Sequence, residues 1–116
     1  MREWTSLKEN KDFKRLYYKG KYKVHPLLVT YLIKGRYPEC RVGITAGKKI
    51  GNAVCRSRVR RIIRAAFDQM EKKFDLRGYD LVFVARPDAV DVKSTDLSKV
   101  MEKHLKVLLP ALAQKE

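Results

Sequence analysis

The sequence predicts an α+β fold: a single domain spanning residues 1–116, with three helices packed on a four-stranded mixed sheet in the order αβββαβα. Three observations predict it. Apolar residues recur at helical spacing in three separate stretches, short runs rich in Val, Ile, Tyr and Phe lie between them, and the connections are too short to divide the chain. A length of 116 residues with 45% hydrophobic residues is enough to bury one modest core. No internal repeat or low-complexity segment interrupts the pattern.

The first helix falls within SLKENKDFKRLYYKG, started either by Ser6 and Glu9 at capping-box spacing or by Asn10 as a later cap, and stopped at Gly20. Its inward stripe is Phe13, Leu16 and Tyr17. KYKV and LLVTYLIK read as strands separated by His25 and Pro26, because proline lacks the donor that a strand interior needs. RVGITAG is a third strand, in which Val42, Ile44 and Ala46 alternate with Gly43, Thr45 and Gly47, and the glycines leave room for something to approach the backbone. Lys48 to Asn52 form a loop, with Asn52 capping a helix from about Ala53 to Phe74. DLVFVA, short and apolar, reads as a buried fourth strand that ends before Pro87. From Thr95 onward Leu97, Val100, Met101, Leu105, Leu108 and Leu112 recur at helical spacing, with a kink or stop expected near Pro110. The middle helix joins the third strand to the fourth and is expected to pack across one sheet face.

Charge points to the partner. The chain carries a formal net charge of +14, an excess that repels itself and that a polyanionic partner would relieve. Residues 1–67 hold 18 Lys and Arg against 4 acids, whereas residues 68–116 hold 9 against 9, so the N-terminal part carries the whole excess. No acid lies between Glu39 and Asp68. Nucleic acid is the partner that such uncompensated charge suits.

The charge concentrates in KKIGNAVCRSRVRRIIR, Lys48 to Arg64. At 100° per residue, Val59, Ile62, Ile63, Ala66, Phe67 and Met70 share one arc, and Ser57, Arg60, Arg61 and Arg64 fall roughly opposite. Arg56 and Arg58 extend the cationic surface around the first turn, and Lys48 and Lys49 precede it. Arginine's planar fork suits bidentate phosphate contacts. A merely solvated helix face usually mixes charge signs, and this one does not.

This segment resembles the signature of the bacterial ribonuclease P protein subunit, and the upstream DF of the first helix, the RVG strand and the length extend the resemblance over nearly the whole chain. One departure is Ser57, where the family carries asparagine between two arginines; Arg56 and Arg58 are retained. The resemblance implies a small basic subunit that pairs with a large catalytic RNA, which cuts the 5′ leader from precursor tRNA with Mg²⁺ held mainly by the RNA subunit. It implies that Lys48, Lys49, Asn52, Arg56, Ser57, Arg58, Arg60, Arg61 and Arg64 face that RNA, and that the protein supplies no catalytic residue. It also implies a left-handed crossover between the third and fourth strands.

Phe13 and Tyr17, one helical turn apart with Lys14, Arg15 and Lys19 beside them, read either as core or as a platform on which bases stack. The resemblance implies that this pair lines a cleft for the single-stranded leader. Its floor would be formed by Leu28, Thr30 and Ala85; counting back from RVG favours Thr30, and a one-residue shift in the turn would substitute Tyr31.

Several function classes are excluded or disfavoured. Cys40 and Cys55 lack CxxC spacing, so neither a disulfide framework nor a zinc site is indicated, and a cytoplasmic location is expected. No apolar run approaches the roughly 20 residues of a membrane span, and MREWTSLKEN has no signal-peptide core. His25 and His104 lack metal-ligand spacing and read as structural or surface positions. Asp88, Asp91 and Asp96 lie around a turn and a helix start, where acids cap, so no metal site or autonomous nuclease centre is expected. DNA is disfavoured because no helix-turn-helix spacing is visible. A general RNA-binding or ribosome-associated basic domain is compatible with the same charge pattern.

Overall fold

Two central strands carry apolar residues on both faces, which a sheet tolerates only when both faces are covered. The computed structural model shows that covering; it describes residues 4–113, and residues 1–3 and 114–116 of the predicted span lie outside the described residues. The elements are β1 (Trp4–Ser6), α1 (Asn10–Lys19), β2 (Lys21–Val24), β3 (Leu28–Lys34), β4 (Cys40–Thr45), α2 (Ala53–Lys73), β5 (Tyr79–Ala85) and α3 (Ser94–Ala113). Short 3-10 turns at Lys48–Ile50 and Pro87–Asp91 lead into α2 and α3.

The sheet has five strands, not the four expected, in the order β1-β4-β5-β3-β2. β4 runs parallel to both β1 and β5, while β5, β3 and β2 alternate antiparallel. The extra strand is the segment in which Ser6 was expected to open a capping box. Trp4 is buried edge-on against Phe67 with ring centroids 5.7 Å apart, and its indole N–H donates to Asp68 at 3.1 Å, so burial of the indole draws residues 4–6 onto the β4 edge. The first helix therefore begins at Asn10, with Glu9 in the cap position and no side-chain cap bond. The last helix continues through Pro110 to Ala113.

Strand alternation decides what each sheet face carries. Leu28, Thr30 and Leu32 of β3, Val42 of β4, and Leu81, Phe83 and Ala85 of β5 face α2 and α3, where Val59, Ile63, Phe67, Met70, Leu97, Met101 and Leu105 complete the main core. Thr30 is a buried polar residue in that core, and it shares a 2.8 Å hydrogen bond with the buried His104 of α3. Burial, with His25 and Lys23 nearby, lowers the His104 pKa to about 4.

The opposite face carries α1. Leu16 is fully buried with Leu7 and Val82, and Phe13, Tyr31, Ile33 and Val84 pack around them. Gly43 fills the role foreseen for a strand glycine: a Cβ there would sit 2.5 Å from the Phe13 ring, so the group that approaches the backbone is Phe13 itself. Polar staples hold α1 in place. The fully buried Asp80 carboxylate accepts from Arg41 at 2.7 and 3.1 Å and from Arg15 of α1 at 3.2 Å, and Arg15 also donates to the Lys34 carbonyl at 2.8 Å. Arg41 also reaches Asp12 of α1 at 3.5 Å, and its guanidinium lies 4.5 Å from the Tyr37 ring centre.

Asp80→Ala removes the only buried carboxylate of this network and leaves two largely buried guanidiniums without it, so it should cost about 3–5 kcal/mol of stability. Denaturant unfolding checks this, and a loss below about 1 kcal/mol would contradict it. His104 has a folded pKa below its unfolded value, so its contribution is fully present above about pH 6.5 and is lost as pH falls toward 4. The melting temperature should therefore fall across that window, and His104→Gln, which retains a partner for Thr30, should flatten the fall. An unchanged pH profile in the variant would contradict the assignment.

Candidate nucleic-acid interface

Asn52 opens α2 as the sequence indicates, its side chain accepting the Cys55 amide at 2.9 Å. The turn before it is fixed by Gly51, whose φ of 141° lies in a region that side-chain-bearing residues rarely adopt. Ile50 is buried and anchors the Lys48–Ile50 turn, which leaves Lys48 and Lys49 exposed at its outer edge.

Along α2 the arginines divide by their attachments. Arg56 donates to the Gly51 carbonyl at 3.4 Å, Arg60 to the Ala46 carbonyl at 3.4 Å, and Arg58 to the Val90 carbonyl in the turn before α3. These three brace the loops beside the helix. Ser57, Arg61 and Arg64 are exposed and, with Lys48 and Lys49, make no hydrogen bond or ion pair among the described residues. Their cationic heads are available to an anionic partner without breaking a protein contact. Of the predicted set, Ser57, Arg61 and Arg64 share the outer face of α2, Arg58 and Arg60 flank it toward Val90 and Ala46, and Asn52 is engaged as the cap, with Val59, Ile63, Ala66, Phe67 and Met70 buried behind them.

The second predicted set is not brought together. Phe13 and Tyr17 belong to the α1 face, whereas Leu28, Thr30 and Ala85 are buried in the core beneath α3, on the opposite face of the sheet. The floor assignment is corrected by parity: Leu28 and Thr30 share a face with Leu32, and Ala85 pairs with Leu28. Tyr31, the alternative left open by the sequence, is the residue beside α1. Its ring lies 5.0 Å from Tyr17 and 5.7 Å from Tyr22, and Tyr17 lies 6.5 Å from Phe13, so four rings form a continuous row.

Tyr22 was not singled out in the sequence, although its alternation with Val24 on an edge strand was a usable signal. Tyr17 and Tyr22 are 41% and 59% exposed, which leaves ring faces open that a pure core would have closed. Val24, Val29 and Val84 continue the same face across three strands by register. Burial and the neighbouring Tyr17 and Tyr22 push the Tyr31 hydroxyl above its ordinary range. An aromatic row that carries three tyrosine hydroxyls, flanked by a net basic chain, can stack bases without reading their sequence.

Other candidates resolve into structure. Cys40 is buried, and burial pushes its thiol up to about 12. Among the described residues no three or more His, Cys, Asp or Glu side chains gather as metal ligands, and no helix is long and apolar enough to cross a membrane. Asp96 accepts the Lys93 amide at 3.0 Å, a capping contact at the start of α3.

The family profile described as Ribonuclease P matches residues 1–109. The chain is 37% identical over 102 residues to the ribonuclease P protein component of Clostridium botulinum strain 657, covering 88% of this chain and 92% of that one. It is 37% identical over 100 residues to the corresponding component of Clostridioides difficile strain 630, covering 86% and 88%. The solved structure of the Staphylococcus aureus RNase P protein superposes with a TM-score of 0.75 at 31% identity, covering 88% of this chain and 93% of that one. With the family profile matching residues 1–109 and these relatives covering most of its length, the chain belongs to the ribonuclease P protein family.

Proposed function

We propose that the two surfaces of this chain divide the work of a ribonuclease P protein component, the RNA-partnered subunit of the holoenzyme that processes tRNA 5′ ends. The observation that carries the reading is the first part of α2, acid-free from Ala53 to Phe67, where Arg61 and Arg64 stand exposed beside three arginines already fixed to backbone carbonyls. Fixed guanidiniums lose less side-chain freedom on meeting phosphate, so the ridge is preorganised for docking the catalytic RNA. Lys48, Lys49, Asn52 and Ser57 extend that docking surface at the start of the helix.

The aromatic row is assigned to the 5′ leader of precursor tRNA. Phe13, Tyr17, Tyr31 and Tyr22 would accept successive bases by stacking, while the α1 lysines attract the backbone. Leader binding adds affinity that mature tRNA lacks, which favours precursor over product. In this reading Mg²⁺ supplies the catalytic chemistry and is held mainly by the RNA subunit, and the isolated protein positions without cutting. The α2 crossover between β4 and β5 is taken to be left-handed, and the holoenzyme is taken to work in the cytoplasm. The alternative of a general RNA-binding domain without processing function has no separate observation in its favour.

Leader length tests the second surface directly. Shortening the leader should weaken binding of precursor tRNA more in the presence of the protein than with catalytic RNA alone. Tyr31→Ala should remove part of that difference, on the order of 1–3 kcal/mol for one stacked base. Equal losses with and without the protein would remove the leader assignment.

A further inference from the structure

The α2 ridge has a second flank that the sequence did not single out. Between α2 and the start of α3 lies a groove of 580 Å³, lined on one side by Arg58 and Arg61 and on the other by Lys93, Ser94 and Thr95. Its floor is apolar, formed by Ile62, Ala65 and Val92. A second volume of 370 Å³ shares Ala65, Ser94 and Thr95 with the first and continues along the helix pair past Ser98 and Lys99. The two therefore form one open channel that begins at the arginine ridge.

We propose that this channel seats a phosphodiester strand of the catalytic RNA, so that α3 docks RNA together with α2. The inference rests on the reading that α2 docks that RNA. Three features favour RNA over an acidic polypeptide. Arg58 and Arg61 belong to both surfaces, so a strand leaving the ridge enters the channel without a break. The rim cations Arg61, Lys93 and Lys99 are exposed and make no ion pair among the described residues, whereas Asp96 and Glu102, the acids of α3, are engaged. Glu102 lies 2.6 Å from Lys73 and 3.1 Å from Lys106, and Asp96 accepts the Lys93 amide. Finally, cations stand on both walls, Arg58 and Arg61 on α2 and Lys93 and Lys99 on the α3 side, and the hydroxyls of Ser94, Thr95 and Ser98 line the α3 wall, a set of donors that suits phosphate contacts along a strand.

Binding of a transcribed bacterial catalytic RNA to the full chain, measured across a salt series, tests the proposal. The double variant Lys93→Ala/Lys99→Ala should bind about tenfold more weakly near physiological salt, with a salt slope lower by about 1–2 units, because up to two phosphate contacts are lost. Its melting temperature reports that folding is intact. Arg64→Ala is the control, since Arg64 lies on the ridge and does not line the channel. In parallel, an iron chelate tethered at Thr95→Cys, in a Cys55→Ser background where Cys40 stays buried, should cleave one short stretch of the bound RNA.

Weaker binding by the double variant together with localised cleavage from position 95 supports the channel. If Arg64→Ala weakens binding and the double variant matches wild type in affinity and slope, the channel is overturned while ridge docking stands. If the wild-type chain fails to bind the RNA, both fall. Unchanged RNA binding by the double variant, with loss of binding to polyglutamate as an acidic polypeptide probe, would overturn the proposal in favour of a protein partner.

Discussion

The fully buried Asp80 carboxylate is the constraint on which the arrangement of both faces depends. A buried charge persists only where partners hold it, and here Arg41 of β4 and Arg15 of α1 both do so. The contact fixes α1 across the sheet at the end where β3 and β5 pair through Ile33 and Asp80. Leu16 and Phe13 then close the space beneath the helix, with Phe13 packed on the Cβ-less surface of Gly43. Because the staples sit at one end, Tyr17 meets Tyr31 at the margin of the covered area and the ring row emerges from under the helix. The row is thus a consequence of how α1 is tied down.

The other face follows a different logic. There α2 and α3 cover the sheet with a continuous apolar core, and the cationic side chains are displaced to the outer side of α2. Three arginines serve twice, since their donors fix the turns at Gly51, Ala46 and Val90 while their charge contributes to the field at the surface. A ridge built this way positions cations relative to the sheet with little freedom. The two surfaces lie on opposite sides of the sheet, as the proposed division between a large RNA and a separate single strand requires.

Much of this was legible in the sequence because it is written in periodicity. The span and cap of α2, its buried stripe and its charge were readable because a long amphipathic helix repeats its signal over many turns. The strand Trp4–Ser6 was not, since three residues give no period and Ser6 with Glu9 imitates a capping box. The faces of β3 were also hidden. Its residues are apolar on both sides because α1 and α3 both cover it, so alternation carries no contrast, and Thr30 is buried only because His104 satisfies its hydroxyl. That satisfaction comes from a residue 74 positions away, a relation that no local pattern records. The same holds for the channel between α2 and α3, whose walls meet only in the folded chain.

In the proposed division of labour the protein positions RNA and leaves cutting to its partner. Cleavage of a 5′-extended precursor tRNA by a bacterial catalytic RNA at low Mg²⁺, with and without the folded chain, tests it most directly. Strong stimulation by the protein and no cleavage by the protein alone are expected. Absence of stimulation, or cleavage by the isolated chain, would contradict it.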